Sequence, residues 1–237
     1  LLSIQHSIEV ASKAETNAVK GNKLMQYLQK FLPHYKRNIY KEVAFNYDQH
    51  FLETGNKIYL KGYRQSEKYF ESITNEIKKI FSIKEELIKD VSNVALLIQS
   101  ENSISIHIRR GDYTNAAMLE YHGVQGIEYY NQAISFIKEK IANPKFYVFS
   151  DNINWVQENL NLNEEAHLIT VDESPTSITD FYLMRCCKHN IIANSTFSWW
   201  AAYLNPNPDK IIIAPKRWFN KANFNTKDLI PSSWIQL

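Results

Sequence analysis

His107, Arg109, Arg110 and Asp112 place an imidazole, two guanidinium groups and a carboxylate within six residues. Arginine keeps its charge and offers a planar fork of donors that matches a phosphate. The residues before them, Ser103-Ile104-Ser105-Ile106, alternate polar and β-branched apolar side chains as a strand does. Gly111 supplies a turn where that strand should stop. A strand that ends in two arginines and a glycine is built to meet an anion. An ion pair of Arg110 with Asp112 is the plainer account of the same residues.

Two further polar clusters follow apolar runs. Ser150-Asp151-Asn152 comes after Phe146–Phe149, and Asn194-Ser195-Thr196-Phe197-Ser198 comes after Ile191–Ala193. The second leads into a helical pattern at Trp199–Leu204. A helix start exposes unpaired N–H groups and about half a positive charge, so it is a ready phosphate site. Phe197 offers a flat face to a base or sugar. In the plainer reading Ser198 only caps the helix and Trp199 and Trp200 are core.

The elements that must position these clusters are strands at 103–108, 145–149, 167–171, 191–193 and 210–214. Helices are expected at 127–141, 154–160, 180–188 and 198–204, with Ser177 at capping-box spacing from Asp180. Short apolar strands alternating with helices predict a parallel sheet covered on both faces. Ligands bind such sheets beyond the carboxyl ends of the strands, where all three clusters fall. The first hundred residues are less regular. Leu1–Lys30 is polar and helix-like with a loop over 14–22, Phe31–Asn56 is irregular, and 57–60 is a short strand. An amphipathic helix is predicted over 73–88, with 90–99 as its continuation.

The 237 residues suffice for one large domain or two small ones. A net charge of +2 implies no polyanion field, and no basic stripe points to nucleic acid. The 14 Tyr, 12 Phe and 5 Trp suit sugar or base stacking. Adjacent Cys186 and Cys187 fit a reducing compartment better than a long-loop disulfide. No zinc spacing, membrane-length apolar run or signal peptide is visible. These features predict a cytoplasmic protein, with peripheral association at an inner membrane compatible. The clusters together predict a nucleotide diphosphate held by Arg109 and a helix N-terminus. No Asp-x-Asp occurs, so arginine and N–H groups would stand in for a metal ion.

His107-Ile108-Arg109-Arg110-Gly111-Asp112-Tyr113 resembles the His-x-Arg-Arg-x-Asp signature of the α-1,2-fucosyltransferases. Lys188–Ala202, with Asn194-Ser195-Thr196-Phe197-Ser198-Trp199-Trp200 at its centre, is similar to a second signature. Phe146–Asn152, Gly62–Phe70, Ile213–Lys216 and Asp228–Pro231 also resemble that family, from about residue 57 onward. The resemblance implies an α/β GT-B glycosyltransferase with two Rossmann-like domains. These would be a partial acceptor-side domain at 1–102, a GDP-fucose domain at 103–215, and a segment at 216–237 that returns to the first. It implies inverting, metal-independent transfer of fucose from GDP-fucose to the 2-hydroxyl of a galactose-containing glycan, with no cofactor.

By position, Arg109 would support departure of GDP and Asp112 would hold the motif's loop; both are the expected catalytic residues. His107, Arg110, Asn194, Ser195, Thr196, Phe197, Ser198 and Asp151 complete the expected substrate site. Asp151 and Asp180 are the candidate guanine readers, and Asp112, Glu128 and Glu67 the candidate bases. The family's Gly-Gly-Leu-Gly-Asn-Gln turn is missing, which predicts that roughly ~50 residues, a βαβ unit and more, lie outside this sequence. A fucosyltransferase of another linkage or acceptor, or a nucleotide-sugar-binding protein without catalysis, are the alternatives.

Overall fold

A computed structural model describes residues 9–42, 44–111, 116–160, 166–169, 178–220 and 224–237. Asp112, Tyr113 and Ser177 lie outside the described residues. The chain divides into two compact units. One holds residues 9–80 and 224–231 of the described chain, and the other 81–220 and 232–237.

The first unit is built from short pieces. Helices α1 (Lys13–Lys20) and α2 (Lys23–Leu28) precede β1 (Ile39–Lys41) and β2 (Tyr59–Lys61), which pair in parallel. Helix α1 overturns the loop expected at 14–22. Its start is fixed by a reciprocal capping box between Ser12 and Glu15, and Gly21, at φ 71°, ends it. The helix expected over 73–88 is also cut short. Helix α3 spans Thr74–Ile80 and single 3₁₀ turns follow, before α4 (Ser92–Ser100) begins separately. Phe81, just past the break, stacks on Trp200 at 4.7 Å, and Ile83 is buried. Tertiary contacts of these two side chains override a good helical pattern.

The second unit carries the sheet. Its strands are β3 (Ser103–Ile108), β4 (Lys145–Ser150), β5 (Ala166–Leu168), β6 (His189–Ile191), β7 (Ile212–Ala214) and β8 (Ile235–Gln236). All pairs are parallel, and the order is β5-β4-β3-β6-β7-β8. The chain runs outward from β3 to β5, then crosses back to place β6 on β3's other side. That is the order of doubly wound nucleotide-binding sheets, with the reversal between β3 and β6. The shift of β6 to 189–191 from the expected 191–193 comes from partnered polar side chains. Asn190 Nδ2 donates to Ser105 Oγ at 2.7 Å and to the Met184 carbonyl at 2.9 Å, and the Ile211 N–H donates to His189 Nδ1 at 2.9 Å. Strand β8 was not expected; its register sets Ile235 beside Ile213.

Alternation along β3 and β4 splits the core in two. Helix α5 (Ala116–Tyr121) follows β3, and Ile104, Ile106, Ile108, Phe146 and Val148 pack on the next helix, α6 (Ile127–Lys140), through Tyr130, Ala133 and Ile137. Tyr147 and Phe149 face the other way, onto Ile98 of α4, Leu183 of α8 (Ile178–Cys186) and Ala201 of α9 (Thr196–Tyr203). Burial of β3 on both faces is what makes it a rigid base for the residues that follow it. Ile106→Ala, which opens a cavity at a fully buried site, should cost about 2–5 kcal/mol, read from the urea midpoint at unchanged slope.

Candidate nucleotide-binding site

Parallel pairing brings the ends of β4, β3 and β6 side by side, and with them the three polar clusters. At the end of β3, Arg109 Nη1 meets Asp151 Oδ2 at 3.0 Å, and the Arg110 N–H donates to Asp151 Oδ1 at 2.8 Å. Both oxygens of Asp151 therefore clamp the turn after β3. Its position explains Gly111: a Cβ there would lie 2.6 Å from Asp151 Oδ2. Gly111→Ala should push Asp151 away and release Arg109. Donor affinity and turnover should both fall at little cost in thermal midpoint, a comparison calorimetry and steady-state kinetics make directly.

Arg110 turns elsewhere. Its guanidinium lies over the Trp155 ring, 4.1 Å from the centroid. Trp155 sits in the first turn of α7 (Ile153–Asn159), which Asn152 caps through the Trp155 N–H at 3.0 Å. The stack holds Arg110 against the protein. Trp155 was missed in the sequence because an aromatic one turn into a helix reads as ordinary core.

His107 is buried, and burial lowers its imidazole pKa to about 4, so the ring is neutral. Its Nδ1 is buried without a hydrogen-bond partner among the described residues. The ring packs on Phe197, 5.6 Å between centroids, and Phe197 meets Phe181 of α8 at 5.5 Å. The loop after β6 and the end of β3 are thus in direct contact. The carbonyl of His107 accepts from the buried Tyr130 hydroxyl at 3.3 Å, which anchors β3's end from the opposite face.

Within the 194–198 loop the residues divide. Asn194 is fully buried, and its Nδ2 lies within bonding distance of the carbonyls of His122 (3.0 Å), Gly123 (3.3 Å) and Trp218 (3.0 Å). Its Nδ2 braces the loop against these segments, while its Oδ1 is buried with no hydrogen-bond partner among the described residues. Ser195 takes the N-cap position, so α9 begins at Thr196, two residues ahead of the expected start. Ser198 is consequently inside the helix, buried, its hydroxyl donating to the Ser195 carbonyl at 3.3 Å. It is not the helix cap. Thr196 is exposed and Phe197 half-buried. The amides of 196–198 are the first of α9 and have no acceptor within the helix.

Asp180 opens α8 beside Phe181. Its Oδ1 is buried with no hydrogen-bond partner among the described residues, and burial raises its pKa to about 6. Of the candidate bases, Asp112 lies outside the described residues. Glu128 is exposed at the start of α6, whose neighbouring tyrosines pack on the sheet's other face. Glu67 belongs to the first unit, where burial and then the charge of Glu71 raise its pKa.

A neutral imidazole, a clamped arginine and a fresh helix N-terminus at a strand-order reversal form a cradle for an anion beside a flat ring. Over residues 4–237 the sequence matches the family described as Glycosyl transferase family 11. The chain belongs to that family. Its similarity to curated members is moderate. It is 36% identical over 191 residues to the O-antigen biosynthesis glycosyltransferase WbnK of Escherichia coli, covering 78% of this chain and 63% of that protein. It is 37% identical over 179 residues to an alpha-1,2-colitosyltransferase of Escherichia coli, covering 74% and 61%. With human galactoside alpha-(1,2)-fucosyltransferase 1 the identity is 27% over 154 residues, covering 61% and 42%. The chain thus spans about three-fifths of the length of the two bacterial relatives. Among the described residues of this glycosyl transferase family 11 chain, no helix is long and apolar enough to cross a membrane.

Proposed function

We propose that the second unit binds a GDP-linked deoxy sugar, with fucose as the first choice, and that the whole protein transfers it to the 2-hydroxyl of a galactoside, inverting the anomeric carbon. The observation that carries this reading is the placement of Arg109 and the start of α9 on the two strands that flank the reversal, β3 and β6. In this reading Arg109 and the amides of 196–198 balance the charge of the leaving diphosphate, without a metal ion. Donors fixed in advance lose little to reorganisation as charge develops. Asp151 holds Arg109 in place, and the guanine role passes to Asp180, whose carboxylate has its Oδ1 unpartnered among the described residues and can accept two N–H bonds from that base. The acceptor oxygen would attack from the face opposite GDP through an oxocarbenium-like state. The architecture proposed for the complete protein is GT-B.

GDP release from GDP-fucose, measured with and without lactose, tests the reading. Release that rises with lactose and yields a 2-linked product supports it. Absence of release in the presence of tight GDP binding would make the protein a nucleotide-sugar-binding module. A second reading, colitosyl transfer, is favoured by the 37% identity to a protein of that name. Comparing the colitosyl and fucosyl donors under the same conditions separates the two.

A further inference from the structure

The first unit contains a cavity of about 540 Å³, within the range of small-ligand sites. None of the donor-site residues lines it. Its chemistry differs from that of the donor site. Glu42, Asp48 and Asp228 face Lys68 and Lys227, so charges of both signs share the wall. Such a lining sets up no single-sign field and suits neither a phosphate nor a cation. It does suit a neutral ligand rich in hydroxyl groups, each of which both donates and accepts.

The wall is fixed in advance. Asp48 accepts from the Tyr40 hydroxyl at 2.6 Å and from the His50 N–H at 3.0 Å, and bonds His34 Nε2 at 2.5 Å. These donors hold the Asp48 carboxyl below the usual carboxylate range, against its burial. The carboxylate takes up Nε2 and leaves Nδ1 as the ring's remaining hydrogen-bonding atom. Nδ1 makes no hydrogen bond among the described residues. On the far side, Asp228 pairs with Lys68 at 2.5 Å and accepts from the Tyr47 N–H at 3.0 Å. Tyr47 and Tyr69 meet edge to face at 4.9 Å, and flat rings of this kind cover the C–H faces of a sugar. Gln49 also lines the cavity and is exposed, with an amide that makes no hydrogen bond among the described residues.

We propose that this cavity is a binding site for a neutral saccharide, the acceptor end of a glycan, with His34 Nδ1 hydrogen-bonded to a sugar hydroxyl. Identifying the saccharide as the acceptor rests on the donor reading of the second unit, but its binding does not. Saturation-transfer NMR on the full chain, without donor, tests it with lactose, N-acetyllactosamine and galactosyl-β-1,3-N-acetylgalactosamine as probes. At least one probe should bind, and His34→Gln should weaken it by about 10-fold, the loss of one good hydrogen bond. Gln49→Ala, which removes no internal bond, should weaken it by a few fold at unchanged thermal midpoint. GDP affinity, measured by calorimetry, should be the same in all three proteins. If none of the probes binds the wild type, or if both variants bind as it does, the proposal is overturned. Saccharide binding without GDP binding would instead sink the donor reading and leave this site standing.

Discussion

Arg109→Ala should lower turnover by about 10²–10³-fold, the usual cost of removing one donor aimed at a developing charge, while the dissociation constant for GDP rises far less. The separation follows from where the side chain sits. Arg109 is held by Asp151 at 3.0 Å at the end of a buried strand, so it is placed before substrate arrives. In the proposed reaction its contribution should be largest when the diphosphate leaves. Arg109→Lys keeps a charge but loses the fork that meets Asp151 and a phosphate together, so most of the loss should remain. Steady-state kinetics with calorimetric GDP binding supplies both numbers. Near-normal turnover in Arg109→Ala would remove the residue from the chemistry.

The second large effect is expected at Asp180. A carboxylate that accepts the N1–H and N2–H of guanine loses about 1.5–3 kcal/mol when one charged acceptor is removed. Asp180→Asn should therefore weaken GDP by about 10–100-fold and abolish the preference for GDP over inosine diphosphate. The wild type should also show a pH signature. Burial raises the carboxyl pKa to about 6, and only the ionised form accepts both guanine protons. GDP affinity should fall as pH drops through about 6, with a proton released on binding below that pH. Stability of the free protein runs the other way. The folded pKa lies above the ordinary value of 3.8, so folding takes up a proton between the two values and the free protein gains stability as pH falls from 6 toward 4. In Asp180→Asn both trends should flatten, and a GDP pH profile identical to the wild type would exclude the residue from the base-binding pocket.

The carboxyl-terminal half was legible because its strands are buried on both faces. Ile104-Ser105-Ile106 and Phe146–Phe149 can be read as strands from composition alone, and parallel topology then fixes which end of each faces a ligand. What composition could not show was the partner of each polar group. Asp151 was visible as a strand-end carboxylate, but its hold on Arg109 and on the Arg110 amide crosses 41 residues of sequence. Gly111 was expected as a turn former, yet the demand on it is room for Asp151. Asn194 stood out as a loop residue, but not as one whose Nδ2 reaches three carbonyls on two distant segments. The amino-terminal half was poorly legible for a different reason. Between its short helices lie three-residue strands and 3₁₀ turns held by side-chain pairs such as His34–Asp48, which leave little periodicity to read.

The position of the bound diphosphate is the decisive observation. A crystal structure of the chain with GDP measures this directly. The β-phosphate should lie within hydrogen-bonding distance of the Arg109 guanidinium and of the amides at 196–198, beyond the carboxyl ends of β3 and β6. A diphosphate bound elsewhere, with the Arg109 side chain and the start of α9 both out of reach of it, would contradict the account.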